Sequence, residues 1–441
     1  MKKQALWHPV TQMKDVEEHP LLKIASGKGI YIYDDEGKSY IDGISSWWTN
    51  IFGHANPRIT EALTKQASTL EHVLFAGVTH GPAEELADRL VALTPDEMTR
   101  VFFAGDGASA VEVAMKMSYG YRQNNGQPEK TKFVGLSDGY HGDTLGALSV
   151  CGHDFFSDLY RPIMPENISV QGPDCYRCPY GKTRETCEAD CFKHMEKTLH
   201  ERAHEITAVF VEPLGQGAAG WRFYPALYLQ KLRKLTRELD IHLAFDEIAV
   251  GFGRLGSMFA MDKAEVVPDF VTMSKSITSG TLALSAVMTT DAVYDAFYGE
   301  FSDMKAFMHS HTYTGNPLAC AVANTTLTMF EELNVIETNR PKYQHMRRYA
   351  AEKFGNHKHL GEIRSCGFIS CLEFVENPET KAAFDWKDRI GFQIHRAALK
   401  HGAFLRNMGD VIYFLPPYII TEDEITTLID AAYAATTEVL G

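Results

Sequence analysis

Two segments decide the fold, Leu243-Ala244-Phe245-Asp246-Glu247 and Val271-Thr272-Met273-Ser274-Lys275. Each is a short apolar run, the length of a buried strand, followed at once by a polar side chain. Lys275 lies 29 residues after Asp246, about one strand–helix–strand step. Because parallel strands of an open α/β sheet present their carboxyl ends at one ligand-binding edge, we expect this carboxylate and this amine to meet in one crevice.

The same pattern extends toward both ends of the chain. Further short apolar runs alternate with amphipathic stretches of helical period, such as residues 84–93 and 227–239. This alternation predicts an α/β fold with a mainly parallel sheet covered by helices. The runs expected to form strands buried on both faces are 101–103, 133–136, 208–211, 243–245 and 270–273.

Three regions are expected along the chain. The strand–helix block predicts a large domain over residues 57–325. Beyond it, short apolar runs such as 412–415 mix with helical patterns, and Thr421 with Glu424 forms a capping-box pattern before a helix. A smaller α+β domain is therefore predicted over residues 326–441. The N-terminal segment, residues 1–56, contains a strand pattern at 30–33 and is expected to pack with the small domain.

The composition indicates a globular protein and excludes several classes of partner. Of its 441 residues 45% are hydrophobic and 23% charged, which suits a large core. The net charge of −14 argues against nucleic acid, which needs basic faces. No apolar run reaches the roughly 18 residues of a membrane span, and the first residues lack the apolar stretch of a signal peptide. Eight cysteines do not make a secreted disulfide scaffold of so long a chain, so we expect a cytoplasmic enzyme.

An amine and a carboxylate in one crevice are the pair that pyridoxal 5′-phosphate (PLP) requires. Lys275 would bond covalently to the cofactor aldehyde and later move the proton. Asp246 would keep the pyridine nitrogen protonated, so that the ring accepts electrons. From spacing alone, a buried salt bridge or a solvated lysine is an equally simple interpretation.

Two glycine-containing turns are candidates for the same site. Residues 103–116 read as a strand end, a glycine-rich turn and a helix start, whose free N–H groups and dipole attract an anion such as the cofactor phosphate. A plain capped helix fits this segment as well. Gly139-Tyr140-His141-Gly142 follows another strand, and a tyrosine between glycines can place its ring against a flat cofactor. A packed turn aromatic is the alternative.

Residues 251–256, Gly-Phe-Gly-Arg-Leu-Gly, match the dinucleotide-binding pattern GxGxxG literally. In that motif the first glycine directly follows a strand and opens a helix. Here residues 246–250 intervene, and no helical pattern follows. We therefore interpret the segment as a glycine-rich loop beside the site.

Four cysteines lie close together in the sequence, as Cys175-x-x-Cys178 and Cys187-x-x-x-Cys191. Four thiolates can bind zinc tetrahedrally, but the spacer between the two pairs is shorter than the common zinc pattern. Plain thiols in a surface insertion are the alternative, and no residue is assigned as a metal ligand.

Taken together, these motifs resemble the class III, or ornithine-type, aminotransferases of PLP fold type I. The match covers nearly the whole chain, and its motifs are highly specific in combination. It includes Gly-Tyr-His-Gly at 139–142, Phe-Asp-Glu at 245–247, Gly-Phe-Gly-Arg at 251–254, Lys275, and His-Ser-His-Thr-Tyr at 309–313 before Gly-Asn-Pro at 315–317. The resemblance implies a PLP-dependent aminotransferase that works as a homodimer.

The resemblance also implies roles for individual residues. Lys275, Asp246 and Tyr140 would be catalytic, with Tyr140 covering the cofactor ring. Gly107 and Ala108 would hold the phosphate, and His311 and Thr312 would reach the phosphate of the partner subunit's cofactor. The substrate would be bound by Trp48, Ser310 and Arg406, together with Tyr140 and Lys275, and Arg406 would hold a carboxylate.

Several positions depart from the family pattern. Ala108 stands where a serine is usual, so one phosphate hydroxyl is missing. Val10 occupies a position where an aromatic residue is expected near the substrate. Ser276 and Ser310 replace glycines. The PLP prediction does not depend on these positions, whereas the prediction of substrate does.

Other stretches resemble a particular branch of this class, which transfers an amino group to 8-amino-7-oxononanoate in biotin synthesis. They are residues 7–9, 42–48, 139–150 and 406–418. S-adenosylmethionine is the expected donor, because Trp47-Trp48 offers aromatic surface to a sulfonium and an adenine, and residues 281–285 resemble users of that donor. Residues 12–15 and 312–316 look more like the users of lysine. Another ω-aminotransferase, acting on a diamine, β-alanine or 4-aminobutyrate, and a PLP-fold protein without catalysis are the alternatives.

Overall fold

The structure, a computed structural model, describes residues 5–152 and 154–441. Residues 1–4, which begin the segment examined for a signal peptide, lie outside this range. The strands are β1 (Ile24–Lys28), β2 (Tyr31–Asp34), β3 (Ser39–Asp42), β4 (Arg100–Ala104), β5 (Lys132–Leu136), β6 (Ile168–Val170), β7 (Ile206–Val211), β8 (Gly215–Gln216), β9 (Arg222–Phe223), β10 (His242–Asp246), β11 (Phe270–Met273), β12 (Ser285–Thr289), β13 (Leu360–Cys366), β14 (Ile369–Phe374), β15 (Ala403–Phe404), β16 (Arg406–Met408) and β17 (Val411–Phe414).

Helices follow most of these strands in the middle of the chain. They are α1 (Ser45–Trp48), α2 (Pro57–Ala67), α3 (Gly81–Leu93), α4 (Gly107–Asn124), α5 (Leu145–Ser149), α6 (Asp154–Ser157), α7 (Phe192–Arg202), α8 (Ala226–Glu238), α9 (Ala260–Ala264), α10 (Asp291–Asp295), α11 (Pro317–Glu332), α12 (Val335–Phe354), α13 (Ile390–Lys400) and α14 (Glu422–Leu440). The segment α1 is a single turn in which all four residues have positive φ, between 48° and 86°.

The central sheet has seven strands in the order β4-β12-β11-β10-β7-β5-β6. The run from β11 to β6 is parallel, as predicted, and its strands β7, β10 and β11 are buried on both faces. The strand β12 is antiparallel to β11 and to β4, which the sequence did not indicate. Only residues 274–284 join β11 to β12, too few for the dozen or more that a parallel crossover with a helix needs. The prediction of an α/β fold with a mainly parallel sheet covered by helices is confirmed.

Helices cover the sheet through one apolar face each. In α8 the buried side chains Tyr228, Leu229, Leu232 and Leu235 recur at the spacing of one helix face. Full burial of each leucine contributes about 1.5–3 kcal/mol relative to exposure. On the site-facing side, α4 packs across β4, β12, β11, β10 and β7, so the start of α4 lies at the edge where Asp246 and Lys275 are found.

Two smaller sheets contain the ends of the chain. One is antiparallel, in the order β13-β14-β17-β16, and is packed by α12 and α13. In the other, order β1-β2-β3-β15, the N-terminal strands pair with β15 from the last part of the chain. The capping box predicted at Thr421 and Glu424 begins α14. The domain limits at residues 56 and 325 stay predictions. No helix in residues 5–152 or 154–441 is long and apolar enough to cross a membrane.

Candidate active site

A cavity of about 700 Å³ opens where β4, β5, β7, β10 and β11 end, all pointing the same way. Each strand contributes a residue from its carboxyl end or from the loop that follows. The cavity brings together six of the predicted site residues, which are Trp48, Gly107, Ala108, Tyr140, Asp246 and Lys275. This is the edge at which open α/β sheets bind ligands.

Lys275 directly follows β11 and Ser274, and it begins a short 3-10 helix with a positive φ of 47°. Burial lowers the pKa of its amine, and the negative charges of Asp246 and Glu212 oppose that effect only in part. Its Nζ lies 5.1 Å from the centroid of the Trp48 ring. A lowered pKa favours the neutral amine, which is the form that attacks a carbonyl carbon.

Asp246 is the last residue of β10 and is buried. Its Oδ2 lies 2.8 Å from His141 Nδ1, and its Oδ1 accepts a hydrogen bond from the backbone N–H of Ile248 at 3.0 Å. Burial alone would lower the pKa of His141, but the hydrogen bond and charge of Asp246 outweigh it and raise that pKa. The two hydrogen bonds therefore hold the Asp246 carboxylate in one orientation.

The start of α4 forms another wall. Asp106 is the N-cap, and its side chain accepts a hydrogen bond from the Ser109 N–H at 2.8 Å, which leaves the N–H groups of Gly107 and Ala108 at the cavity. A Cβ at position 107 would come within 2.9 Å of Ile248 Cδ1, so only glycine fits there without a shift. Ser109, the next residue along α4, is not among the residues lining the cavity, so it does not supply the hydroxyl that is missing at Ala108.

Tyr140, on the loop after β5, also lines the cavity. Its backbone N–H donates to Glu212 Oε1 at 2.9 Å, and its ring packs against Phe156 with centroids 5.2 Å apart. Burial, with the nearby charge of Asp143, raises the pKa of its phenol. An amine, a carboxylate, an anion-attracting helix start and an aromatic ring thus line one cavity. They fit, in that order, the aldehyde, pyridine nitrogen, phosphate and ring face of PLP.

Glu212 is a residue of this cavity that the sequence analysis missed. It follows β7, and its carboxylate accepts the N–H groups of Tyr140 and, at 2.6 Å, Gly217. Burial raises the pKa of Glu212 to about 7, although the positive charge of His141 opposes this shift. The sequence signal was available, because Glu212 ends a buried strand in the same way as Asp246.

The two predicted substrate residues Trp48 and Arg406 lie in neighbouring cavities. Trp48 lines the main one, and its indole N–H donates to the Tyr413 hydroxyl at 3.1 Å. The half-buried Arg406 lines a second cavity, of about 490 Å³, where its guanidinium carbon lies 4.0 Å from the centroid of the Trp47 ring. Trp47 and Trp48 belong to the left-handed turn α1, so this turn contributes a side chain to each cavity.

Ser310, His311 and Thr312 lie outside the main cavity of their own chain. They precede α11, and Ser310 and Thr312 are exposed. The ring of His311 packs against His309 with centroids 4.7 Å apart. Val10, the departure noted near the substrate, is 56% exposed and does not reach the cavity either.

Residues 251–256 form turns, as interpreted, and no helix lies between β10 and α9. From the chain between β10 and this loop, only Asp246, Ile248 and Ala249 line the cavity. Glu247 instead accepts the first N–H groups of α9, from Ala260 and Met261. None of residues 251–256 lines the cavity, and the segment lacks the helix of a dinucleotide-binding motif.

The four clustered cysteines line a separate cavity of about 230 Å³ between β6 and α7. Burial raises the pKa of Cys175 to about 12 and that of Cys191 to about 11. In the part of the chain that the structure describes, no group of three or more His, Cys, Asp or Glu side chains is arranged to hold a metal ion. Ion pairs Arg177–Glu373 and Arg184–Glu362 fasten this insertion to β13 and β14.

Comparison with known proteins agrees with this site. The sequence profile of the class III aminotransferases matches residues 13–435. The chain therefore belongs to the class III aminotransferases, and it is a PLP-dependent aminotransferase.

Individual relatives cover nearly the whole chain. The adenosylmethionine-8-amino-7-oxononanoate aminotransferase of Geobacter sulfurreducens is 42% identical over 426 residues, 96% of this chain and 94% of its own. The crystal structure of the enzyme of the same name from Methanocaldococcus jannaschii superposes with a TM-score of 0.93 at 38% identity, covering 99% of this chain and 98% of the other. The omega transaminase of Pseudomonas jessenii in complex with PMP has a TM-score of 0.94 at 31% identity, covering 98% and 96%.

Proposed function

We propose that the protein transfers an amino group from S-adenosylmethionine to 8-amino-7-oxononanoate, forming 7,8-diaminononanoate in biotin synthesis. The relatives named above carry that activity in their names. The observation in this chain that carries the proposal is that Arg406 lines a different cavity from Lys275. The acceptor has its carboxylate at the far end of a nine-carbon chain from the carbonyl that receives the amine.

Arg406 has the chemistry of a carboxylate site. Among the described residues it has no hydrogen-bond acceptor and no acidic partner, and its contact is with the Trp47 ring. A half-buried guanidinium without a counter-ion presents two parallel N–H donors to a carboxylate. The separation of this cation from the reacting amine favours a long acceptor over β-alanine or 4-aminobutyrate, whose carboxylates lie close to the amino carbon.

The residues of the main cavity have distinct tasks in the reaction. Bound PLP supplies an electron sink for the carbon that loses or gains its proton. Lys275 holds and moves that proton, since its lowered pKa makes the neutral amine available. Asp246, oriented by His141, holds the proton at the pyridine nitrogen. Tyr140 and Trp48 line the cavity with aromatic surface that would exclude water from the reaction.

S-adenosylmethionine is the donor that we propose, and lysine is the alternative. Trp48 gives the cavity an aromatic wall near Lys275, on which a sulfonium or an adenine ring can pack. Residues 281–284, similar to those of users of this donor, also line the cavity. Lysine would require a partner for a second ammonium, and besides Asp246 the cavity is lined by the carboxyl residues Asp106, Asp143 and Glu212.

The substitution Arg406→Gln tests the proposed acceptor. We expect the KM for 8-amino-7-oxononanoate to rise about 10- to 100-fold, because hydrogen bonds to a charged carboxylate are lost, while kcat falls much less. The donor half-reaction, followed by loss of the visible cofactor band in a single turnover, should keep its rate with S-adenosylmethionine.

Arg340→Gln is the matched control, since Arg340 is an exposed arginine on α12 paired with Glu337. An unchanged acceptor KM in Arg406→Gln would contradict the proposed acceptor site. Bleaching of the band by lysine and not by S-adenosylmethionine would replace the donor and leave the acceptor proposal in place.

We also propose a homodimer in the cytoplasm, with each site completed by its partner. Thr312 is exposed and outside its own cavity, and large apolar side chains nearby are exposed as well. Exposed apolar surface of this kind marks a protein interface. These side chains are Leu74, Phe301, Met304, Met308 and Tyr313. The eight free cysteines suit a reducing compartment.

Hybrid dimers test the shared site. A Lys275→Ala chain and a Thr312→Asp chain should each be inactive, the second because its carboxylate would repel the cofactor phosphate. After mixing and reassembly, about a quarter of all sites should be intact, because half of the dimers are hybrids with one complete site each. Activity per subunit measures the fraction of intact sites, and native mass spectrometry measures the fraction of hybrid dimers.

The control mixture pairs Lys275→Ala with the double variant Lys275→Ala/Thr312→Asp, whose hybrids contain no intact site. Hybrids detected by mass without any regained activity, or an active wild-type monomer, would refute the shared site.

A further inference from the structure

We propose that Glu112 is a positioning residue for the cofactor, which joins the phosphate-binding start of α4 to the loop that carries Tyr140. Glu112 lies on α4, one helical turn beyond Ala108 and on the same helix face. It is half-buried and does not line the cavity, so it acts through its neighbours.

A single carboxylate oxygen of Glu112 gathers three donors from the segment after Tyr140. Its Oε1 accepts hydrogen bonds from the Thr144 hydroxyl at 2.6 Å, the Gly146 N–H at 2.9 Å and the Ala147 N–H at 3.2 Å. Thr144, which precedes α5, makes no side-chain cap of its own. Glu112 therefore satisfies N–H groups that would otherwise lack an acceptor.

Close packing at two glycines brings the same two elements together. A Cβ at Gly142 would lie 2.5 Å from the Cβ of Ala108, so the loop rests directly on the first turn of α4. A Cβ at Gly146 would lie 2.2 Å from Glu112 Oε2. Gly142 also has a φ of +131°, which disfavours any other residue.

The Glu112 carboxylate accepts hydrogen bonds from this loop, whereas the nearest lysine on α4 contacts another residue. Lys116, one turn further along α4, has its Nζ 3.0 Å from His309 Nδ1. Hydrogen bonds in which the acceptor is ionised are about twice as strong as neutral ones. The carboxylate thus sets the distance between the N–H groups at Gly107 and Ala108 and the ring of Tyr140, all of which line the cavity.

Removal of the carboxylate tests this role through the cofactor itself. In Glu112→Ala we expect PLP to leave the holoenzyme about tenfold faster and its visible circular dichroism to weaken, because the loop over the ring is no longer tied to the phosphate helix. Thr144→Val, which removes one of the three donors, should show a smaller change in the same direction. In Glu112→Gln, whose amide oxygen still accepts, release should stay within about threefold of wild type.

Glu201→Ala is the matched control, since Glu201 is an exposed helical glutamate with an i,i+4 lysine partner on α7. It should change neither the release rate nor the dichroism. If Glu112→Ala releases PLP as slowly as this control and keeps its dichroism, the proposal is wrong. It is also wrong if apoenzyme and holoenzyme lose the same thermal stability while the release rate is unchanged, since the role would then be structural only.

Discussion

Lys275→Ala is expected to lower the rate of amino transfer by about five orders of magnitude, because it removes both the covalent attachment of PLP and the amine that moves the proton. Wild-type holoenzyme treated with borohydride should carry the pyridoxyl group on the peptide that contains Lys275. In the variant no peptide should be labelled, although PLP can still bind through its phosphate and ring contacts.

Lys130→Met is the matched control, since Lys130 is a second buried lysine whose pKa is lowered by burial, and it lies away from the cavity. Its Nζ donates to the backbone carbonyl of Asp240. This variant should keep the wild-type labelling pattern. Labelling of any lysine other than Lys275 in the wild type would overturn the assignment.

Asp246→Asn should keep the fold and lose about 10²- to 10⁴-fold in kcat, a change of roughly 3–5 kcal/mol in the barrier. The amide cannot hold the pyridine proton by charge, so electrons from the reacting carbon are delocalised less. The pKa of His141 should also fall, because the charge of Asp246 that helps to raise it is removed. Single-turnover rates with each substrate, together with the thermal unfolding midpoint, separate chemistry from stability.

The neighbouring carboxyl provides the control for this substitution. Glu247 is also fully buried, with a pKa raised to about 8 by burial, but it accepts N–H groups of α9 and does not line the cavity. Glu247→Gln should change stability more than turnover. A rate for Asp246→Asn within about threefold of wild type would contradict the role given to Asp246.

The sequence predicted those parts of the site that depend on strand ends. Asp246 and Lys275 end buried parallel strands, and parallel strands place such residues at one edge whatever the details of packing. The rule applies equally to Glu212 after β7, which was missed only because no second residue of known chemistry was paired with it. Residues 251–256 were not interpreted as a dinucleotide-binding motif. That motif requires a helix at this position, and the structure has turns there.

Other features depend on contacts that no local pattern contains. The left-handed turn at residues 45–48 places Trp48 at the main cavity and Trp47 at the cavity of Arg406, and its four positive φ angles fall on serine and tryptophan, which rarely adopt them. The antiparallel course of β12 follows from the length of the connection and from the pairing with β4, which is distant in sequence. Residues 310–312 are expected to act in a neighbouring subunit. Their position at a site therefore depends on how two chains assemble, which the pattern of one chain does not contain.

The pairing of β12 with β4 has a consequence for the order in which the protein acquires its cofactor. Ala104, three residues before the start of α4, pairs with Ser285, ten residues after Lys275. Contacts between such distant parts of a chain carry a large loop-closure cost and form slowly. The start of α4 and Lys275 therefore come together only when β12 pairs with β4. A nascent chain that ends before β12 would lack a complete site to bind PLP.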